Sequence, residues 1–213
     1  MSANTPHARL LNEAALAVLE PLGLEQIGRS RTWLDDHDWW LVLVEFQPDS
    51  AARGSYLNVG AMWLWREVED YSFDVGYRVG DFKTFRNKAQ FEREAMQMAQ
   101  RAAGQVEKYR ALFASVETAA EYLARHCDGG DLWGRYHAGV ACGLAGQAIE
   151  ASRWLDEFLR HARHAGWSES LLRRVVQLRA LAENTEGLRL AVEQLVAASR
   201  RSLRLSPVDE GMF

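Results

Sequence analysis

The sequence contains little cysteine and no long apolar run. Its two cysteines, Cys127 and Cys142, lie fifteen residues apart and form no Cys-x-x-Cys pair, which favours buried free thiols over a disulfide or a zinc site. The longest apolar run, Trp39 to Phe46, has eight residues and is interrupted by Glu45, whereas a membrane-spanning helix needs about 20. The first nine residues lack the basic region and apolar core of a secretory signal. We therefore expect a cytoplasmic protein with no membrane partner.

Sequence patterns of familiar catalytic chemistry are lacking as well. No Gly-x-Ser-x-Gly, Walker loop or His-Glu-x-x-His pattern occurs, which excludes the sites that these patterns build. His126 and Cys127 are adjacent, but neighbours on a helix face different ways, so they predict no Cys–His dyad. The sequence thus assigns no catalytic residue, no metal and no cofactor. An enzyme with an unfamiliar site stays an open alternative.

Basic charge is in modest deficit, and only three of the 25 basic residues are Lys. Residues 1–128 carry 14 basic and 19 acidic residues, a net charge of 14 − 19 = −5, whereas residues 129–213 carry 11 and 10, a net charge of +1. Nucleic-acid binding depends on a dense basic surface, so a nucleic-acid partner is not expected. The acidic excess permits a basic protein partner.

The strongest structural signal is the run from Trp39 to Phe46, which is rich in aromatic and β-branched residues and predicts a buried central strand. Because side chains alternate along a strand, both of its faces are mostly apolar and both need cover, which helices can supply. The other predicted strands are Leu24 to Trp33, Tyr56 to Arg66 and Tyr71 to Val79, joined by short connections. The pattern is typical of an antiparallel sheet of about four strands.

Helical periodicity frames this sheet. Thr5 and Pro6 suit the cap and the first position of an initial helix, and apolar residues recur by threes and fours from about Lys88. Ser115 can cap the next helix. Further helices are predicted at 132–145, 147–164, 168–183 and 185–204. The predicted fold is α+β, with a sheet module at 1–128, an all-helical module at 129–205 and a tail at 206–213.

Short motifs in the sheet module resemble a bacterial domain-of-unknown-function family, whose members share an "LGF…GRTW…FQ…NLG" run on antiparallel strands. The matching segments are Leu22-Gly-Leu24, Gly28-Arg-Ser-Arg-Thr-Trp33, Glu45-Phe-Gln47 and Tyr56-Leu-Asn-Val-Gly60. The resemblance covers about residues 8–125; Leu24 replaces the family's aromatic and Glu45 its usual Asn. Such families are often small accessory proteins without known catalytic residues, so the resemblance implies no active site.

The segment of about 132–163 resembles one tetratricopeptide-type helix pair. It has small residues at Gly139 and Ala151, a turn at Gly146, and bulky Leu155 and Phe158 after them. Small residues twelve apart let two antiparallel helices approach closely. The closing Pro is missing and the following helices do not repeat the pattern, so the resemblance covers one unit.

Two acidic turns are the first candidate site. They contribute Asp35, Asp36 and Asp38, and Glu67, Glu69 and Asp70, and could rim a partner surface if both lie near one sheet edge. Trp63 and Trp65 share a predicted strand face; they are either core residues or partner-binding hot spots. Exposed turn charges contribute little to stability, so the acids are expected to act on encounter with a partner. A solvated turn is favoured over a metal site at Asp35 to Asp38.

A cluster of basic residues is the alternative site. Arg29, Arg31, Arg78 and Arg86 could converge on a phosphate or a single strand, although neighbouring acids make ordinary surface pairing the simpler interpretation. His161 and His164 share a helix face beside two arginines, which opposes metal binding. The first hypothesis for function is a non-enzymatic protein-interaction protein, with an immunity-type partner of a basic toxin as its specific form. The alternative is a small-ligand or phosphate-binding protein.

Overall fold

The structure is a computed structural model that describes residues 5–49, 51–127, 131–162, 169–208 and 211–213. Its helices are α1 (Pro6–Leu19), α2 (Lys88–Leu112), α3 (Val116–His126), α4 (Leu132–Leu144), α5 (Ala148–Ala162), α6 (Glu169–Ala180) and α7 (Thr185–Leu203). Its strands are β1 (Glu25–Gln26), β2 (Thr32–His37), β3 (Trp40–Gln47), β4 (Gly54–Trp63), β5 (Val75–Arg78) and β6 (Lys83–Thr84), and 3₁₀ helices cover Glu20–Leu22 and Leu64–Arg66. This is the predicted α+β class.

The sheet has the strand order β1-β2-β3-β4-β5, and β6 pairs with the start of β4. The β2–β3 hairpin runs in antiparallel register from Thr32 opposite Glu45 to His37 opposite Trp40. The six apolar residues from Trp40 to Val44 and at Phe46 are all buried, so both faces of the central strand are covered as its alternation predicted. On one face, a Cβ at Gly76 of β5 would clash with the Tyr109 hydroxyl of α2.

Several strand boundaries differ from the prediction. Asp35 and Asp36 belong to β2, and the turn consists of Asp38 and Trp39, since Asp38 tolerates the left-handed backbone (φ 62°) that a tight hairpin needs. The predicted first strand is divided into β1 and β2. The predicted third strand ends at Trp63, and Trp65 lies in a 3₁₀ helix. The predicted fourth strand shortens to β5, and β6 was not predicted.

The chain forms two compact units. Unit 1 comprises Met1–Met62 and Tyr71–Arg110, and unit 2 comprises Trp63–Asp70 and Ala111–Phe213. The predicted sheet and helical modules, 1–128 and 129–205, were drawn as contiguous ranges, and the predicted boundary falls on residues 128–130, outside the described residues. As folding domains these ranges stay a prediction. The net charge of unit 1 is 12 − 13 = −1 and that of unit 2 is 13 − 16 = −3.

Unit 2 is built around a short segment that comes well before its helices in the chain. The segment, Trp63 to Val68, is largely buried and packs against α7. Leu64 O accepts a hydrogen bond from Ser199 Oγ (2.6 Å), and Ser199 Oγ accepts one from Val68 N (2.9 Å). Tyr136 donates to Trp65 O at 2.7 Å. These bonds satisfy main-chain groups that would otherwise be buried without partners.

Helices α4 and α5 cover the segment for which the sequence predicts a tetratricopeptide-type pair. A Cβ at Gly139 would lie 2.7 Å from Leu155 Cδ2, so the missing side chain permits the close approach that the small residues predicted. Leu155 and Phe158 are fully buried. The predicted cap also forms, because Ser115 accepts a hydrogen bond from the Thr118 amide. None of the helices in the described ranges is long and apolar enough to span a bilayer.

Candidate functional site

Trp63 and Trp65 are core residues of unit 2. Both are 0% exposed, and their rings stack in parallel with centroids 5.0 Å apart. Phe113 packs edge-on against Trp63, and Trp65 Nε1 donates a hydrogen bond to His137 Nδ1 at 2.9 Å. Of the two interpretations left open for these tryptophans, burial favours the core. They present no surface to a partner in this structure.

The second acidic turn lies in the same unit. Glu67, Glu69 and Asp70 are exposed, but Glu67 forms an ion pair with Arg174 of α6. Arg174 also donates to the carbonyl of Arg66 at 3.3 Å. Glu67 therefore helps to attach the segment after Trp65 to a helix. Glu69 and Asp70 are the two acids of this turn that remain candidates for contact with a partner.

Asp35 of unit 1 is buried, whereas the sequence predicts an exposed turn charge at this position. Only 6% of Asp35 is exposed, and its carboxylate forms a bidentate pair with Arg110 of α2, at 2.8 Å (Nε to Oδ2) and 3.0 Å (Nη2 to Oδ1). His37 Nε2 donates to Asp35 Oδ2 at 2.7 Å. Burial raises the pKa of Asp35, but hydrogen bonds and charge from His37 and Arg110 outweigh it and lower the pKa below 3.8.

Asp36 and Asp38 differ from Asp35 in being exposed at the hairpin tip. Asp36 Oδ1 accepts a hydrogen bond from the Asp38 amide at 3.1 Å, which braces the turn from within. His37 stacks on Trp40 with ring centroids 4.4 Å apart. The tip, Asp36 to Asp38, is thus an acidic surface on a stiff hairpin, and we call it the acidic tip.

The two acidic turns belong to different compact units. Asp35, Asp36 and Asp38 are in unit 1, whereas Glu67, Glu69 and Asp70 are in unit 2. A joint rim requires both turns to lie near one sheet edge, and this arrangement therefore stays a prediction. The acidic tip is the part of the candidate surface whose geometry is defined within one unit.

The four candidate arginines occupy different environments. Arg29 and Arg86 are exposed. Arg78 of β5 lies over the Tyr56 ring (3.7 Å from guanidinium carbon to ring centroid) and donates to Gln47 Oε1 at 2.7 Å, so its charge is already engaged. Arg31 is half-buried, and its Nη1 is inaccessible and has no hydrogen-bond partner among the described residues. Burial lowers the pKa of Arg31.

The sheet carries a polar network that the sequence did not predict. Asn58 of β4 is fully buried, and its amide donates to Glu45 Oε2 at 2.8 Å and Gln47 Oε1 at 3.1 Å on β3. Arg78 extends the network across β5 through its contact with Gln47. The signal available in the sequence was one amide inside an apolar strand. The network fixes the pairing of three strands.

No three His, Cys, Asp or Glu side chains of the described residues gather into a metal site. His161 Nδ1 contacts the carbonyl of Glu157 at 2.8 Å. His164, the other member of that predicted pair, lies outside the described residues.

Comparison with known proteins gives no match among protein-family models, curated proteins or solved structures. The two family resemblances stay predictions, and the function has to be argued from the geometry of the site.

Proposed function

We propose that this chain is a non-enzymatic cytoplasmic protein-interaction protein, an immunity-type partner that binds and neutralises a basic toxin through its acidic tip. The observation that carries the proposal is the contrast within one hairpin. Asp35 is buried and paired with Arg110, whereas Asp36 and Asp38 are exposed. The buried acid holds the strand, and the exposed acids present charge to solvent.

Rigidity is what makes such a surface effective. Arg110 joins β2 to α2 through Asp35 and also donates to the carbonyl of Leu22 at 2.7 Å, so three segments of unit 1 are tied together behind the tip. A surface that is ordered before binding avoids part of the entropy cost of association. Two carboxylates fixed at a hairpin tip would steer a basic partner and raise the association rate.

The double variant Asp36→Asn/Asp38→Asn tests this role. It removes both charges, while the amide oxygen introduced at position 36 still accepts from the residue 38 main chain, and asparagine at position 38 tolerates the left-handed backbone. We expect the association rate with the partner to fall roughly threefold to tenfold at low salt, with little change in the dissociation rate. The candidate partner is the product of an adjacent reading frame, and rates are measured by stopped-flow mixing over a salt series.

The matched control is Glu13→Gln/Glu92→Gln, which removes two exposed acids from α1 and α2 of the same unit. Its association rate should stay close to that of the wild type. An association rate that is equally insensitive to the tip variant would remove the acidic tip as the binding surface. A neighbourhood of metabolic genes without a toxin-like reading frame would count against the immunity-type role.

Arg31, one of the four candidate arginines, gives a second candidate function, anion binding, because its Nη1 has no hydrogen-bond partner among the described residues. His7 is buried beside it, and burial, Arg31 and Arg53 together lower the pKa of His7. An anion bound near Arg31 and Arg53 would offset their effect on His7, so sulfate should move the NMR titration of His7 back toward 6.5. Arg31→Gln should abolish this response, and Arg29→Gln, an exposed neighbour, should preserve it. A His7 titration that does not respond to sulfate would eliminate this candidate.

A further inference from the structure

Unit 1 contains a cleft of about 400 Å³ between the end of α1 and the β1–β2 edge of the sheet. It is lined by Leu16, Glu20, Gly23, Leu24, Glu25, Gln26 and Trp33. This volume lies near the lower end of the range for pockets that bind small molecules. The cleft can therefore enclose one long side chain.

The floor of the cleft is apolar. Leu24 and Trp33 are each 2% exposed, and Leu16 on α1 is 38% exposed and adds apolar surface at the opening. An aliphatic chain placed here would cover the exposed part of Leu16 and lie above Leu24 and Trp33, so it would lose contact with water.

Main-chain hydrogen bonds hold this shape. Gly23 N donates to Glu20 O at 2.9 Å, and Leu24 N donates to Leu19 O at 3.2 Å. Gly23 has a φ of 89°, a left-handed conformation that suits glycine and turns the chain from the 3₁₀ helix toward β1. The carbonyl of Leu22 in this turn is fixed by Arg110. The cleft is consequently formed before any ligand arrives.

The rim of the cleft offers hydrogen-bond acceptors and negative charge. Glu20 and Glu25 are exposed, and neither forms an ion pair within the described part of the chain. Gln26 uses its Nε2 to donate to Asn12 Oδ1 (2.9 Å) and Ser30 O (2.7 Å), which leaves its Oε1 as an acceptor. Two carboxylates and an amide oxygen favour a cationic group with several donors.

We propose that the cleft binds an arginine side chain of the partner, with its aliphatic stem on the apolar floor and its guanidinium at the acidic rim. Arginine matches both parts because it combines an apolar stem with a planar, weakly hydrated cation that pairs with carboxylates. It is also enriched among residues that dominate binding energy in interfaces. This inference rests on the proposed function, since it supplies the anchor for a basic protein that the acidic tip attracts.

The test uses blocked arginine, N-acetyl-arginine methylamide, titrated into the full-length protein and followed by amide NMR shifts of Gly23 and Leu24. Blocked norleucine, which has a comparable stem and no charge, is the chemical control. We expect arginine to shift these amides and norleucine to do so much more weakly. Glu20→Gln/Glu25→Gln should weaken arginine binding about tenfold, whereas Glu13→Gln/Glu92→Gln should leave it unchanged.

Equal amide shifts with blocked arginine and blocked norleucine would overturn the proposal. Equal affinity for blocked arginine in the wild type and in Glu20→Gln/Glu25→Gln, which we call the cleft variant, would overturn it as well. With the protein partner, the cleft variant should raise the dissociation rate, because an anchor acts after encounter. If the tip variant slows association while the cleft variant leaves dissociation unchanged, the cleft inference fails and the proposed function stands. If the cleft binds arginine as expected but the tip variant does not slow association, the proposed function fails and the cleft stands.

Discussion

Replacing Trp65 by alanine is expected to lower the free energy of unfolding by about 3–5 kcal/mol, against a total stability of roughly 5–15 kcal/mol for a protein of ordinary stability. The side chain is fully buried, stacks on Trp63 and donates a hydrogen bond to His137. Its removal would leave a cavity in unit 2 and deprive His137 of a donor. Urea unfolding followed by circular dichroism measures the loss.

Two variants calibrate that result. Trp65→Phe keeps an aromatic ring but loses the bond to His137, so its cost should be smaller than that of alanine. Tyr77→Ala removes an aromatic side chain that is 55% exposed, and should change stability by no more than about 0.5 kcal/mol. A Trp65→Ala protein with wild-type stability and a faster dissociation from its partner would show that Trp65 acts at an interface, contrary to the structure.

The helices and the central strand could be predicted from the sequence because their signals are local. In α7, for example, Leu188, Val192 and Val196 recur at helical spacing and are all fully buried, and the predicted helix at 185–204 agrees with Thr185–Leu203. The strand β3 combines alternation with aromatic and β-branched residues over eight positions. Such periodic patterns can be recognised without knowledge of the tertiary structure.

The end of β4 could not be predicted because nothing local marks it. The apolar alternation continues through Trp63 to Trp65, so the pattern favours a strand up to Arg66. The chain leaves the sheet at Trp63, and the segment that follows is held by Tyr136 and Ser199, which are 71 and 135 residues away from their partners in the sequence. Hydrogen bonds of that separation have no local signature.

The candidate site shows the same limit on a smaller scale. Asp35, Asp36 and Asp38 have the same chemistry and nearly the same position in the sequence, so they were treated as one exposed group. Their difference arises because Asp35 is buried against Arg110, 75 residues later, whereas Asp36 and Asp38 are exposed. Strand alternation places Asp35 and Asp36 on opposite faces, which was the local signal that could have separated them.

Neutralising Asp35 is expected to destabilise the protein although the substitution is nearly isosteric. Asp35→Asn leaves the Arg110 guanidinium facing a neutral amide, and breaking a largely buried ion pair in this way should cost about 3 kcal/mol. The same substitution at Asp36, one residue along the strand and exposed, should change stability by less than about 0.5 kcal/mol. The pair is compared by urea unfolding at neutral pH.

A double-mutant cycle assigns the loss to the ion pair. Arg110→Met removes the cation and keeps an apolar stem, so Asp35→Asn/Arg110→Met should be more stable than the sum of the single losses predicts, with a coupling of about 1–3 kcal/mol. Strictly additive losses would show that Asp35 and Arg110 contribute to stability independently, contrary to their bidentate contact.

The pH dependence gives a second readout of the same contact. Because the pKa of Asp35 in the folded state lies below its ordinary value of 3.8, the carboxylate stabilises the fold fully above that value. The contribution is lost as the pH falls from 3.8 through the lower pKa of the folded state, since both states then bind the proton. The difference in stability between the wild type and Asp35→Asn should therefore be constant at neutral pH and shrink in acid below 3.8. A difference that persists unchanged to the most acidic pH at which the protein folds would show that the loss in the variant arises from packing rather than from charge.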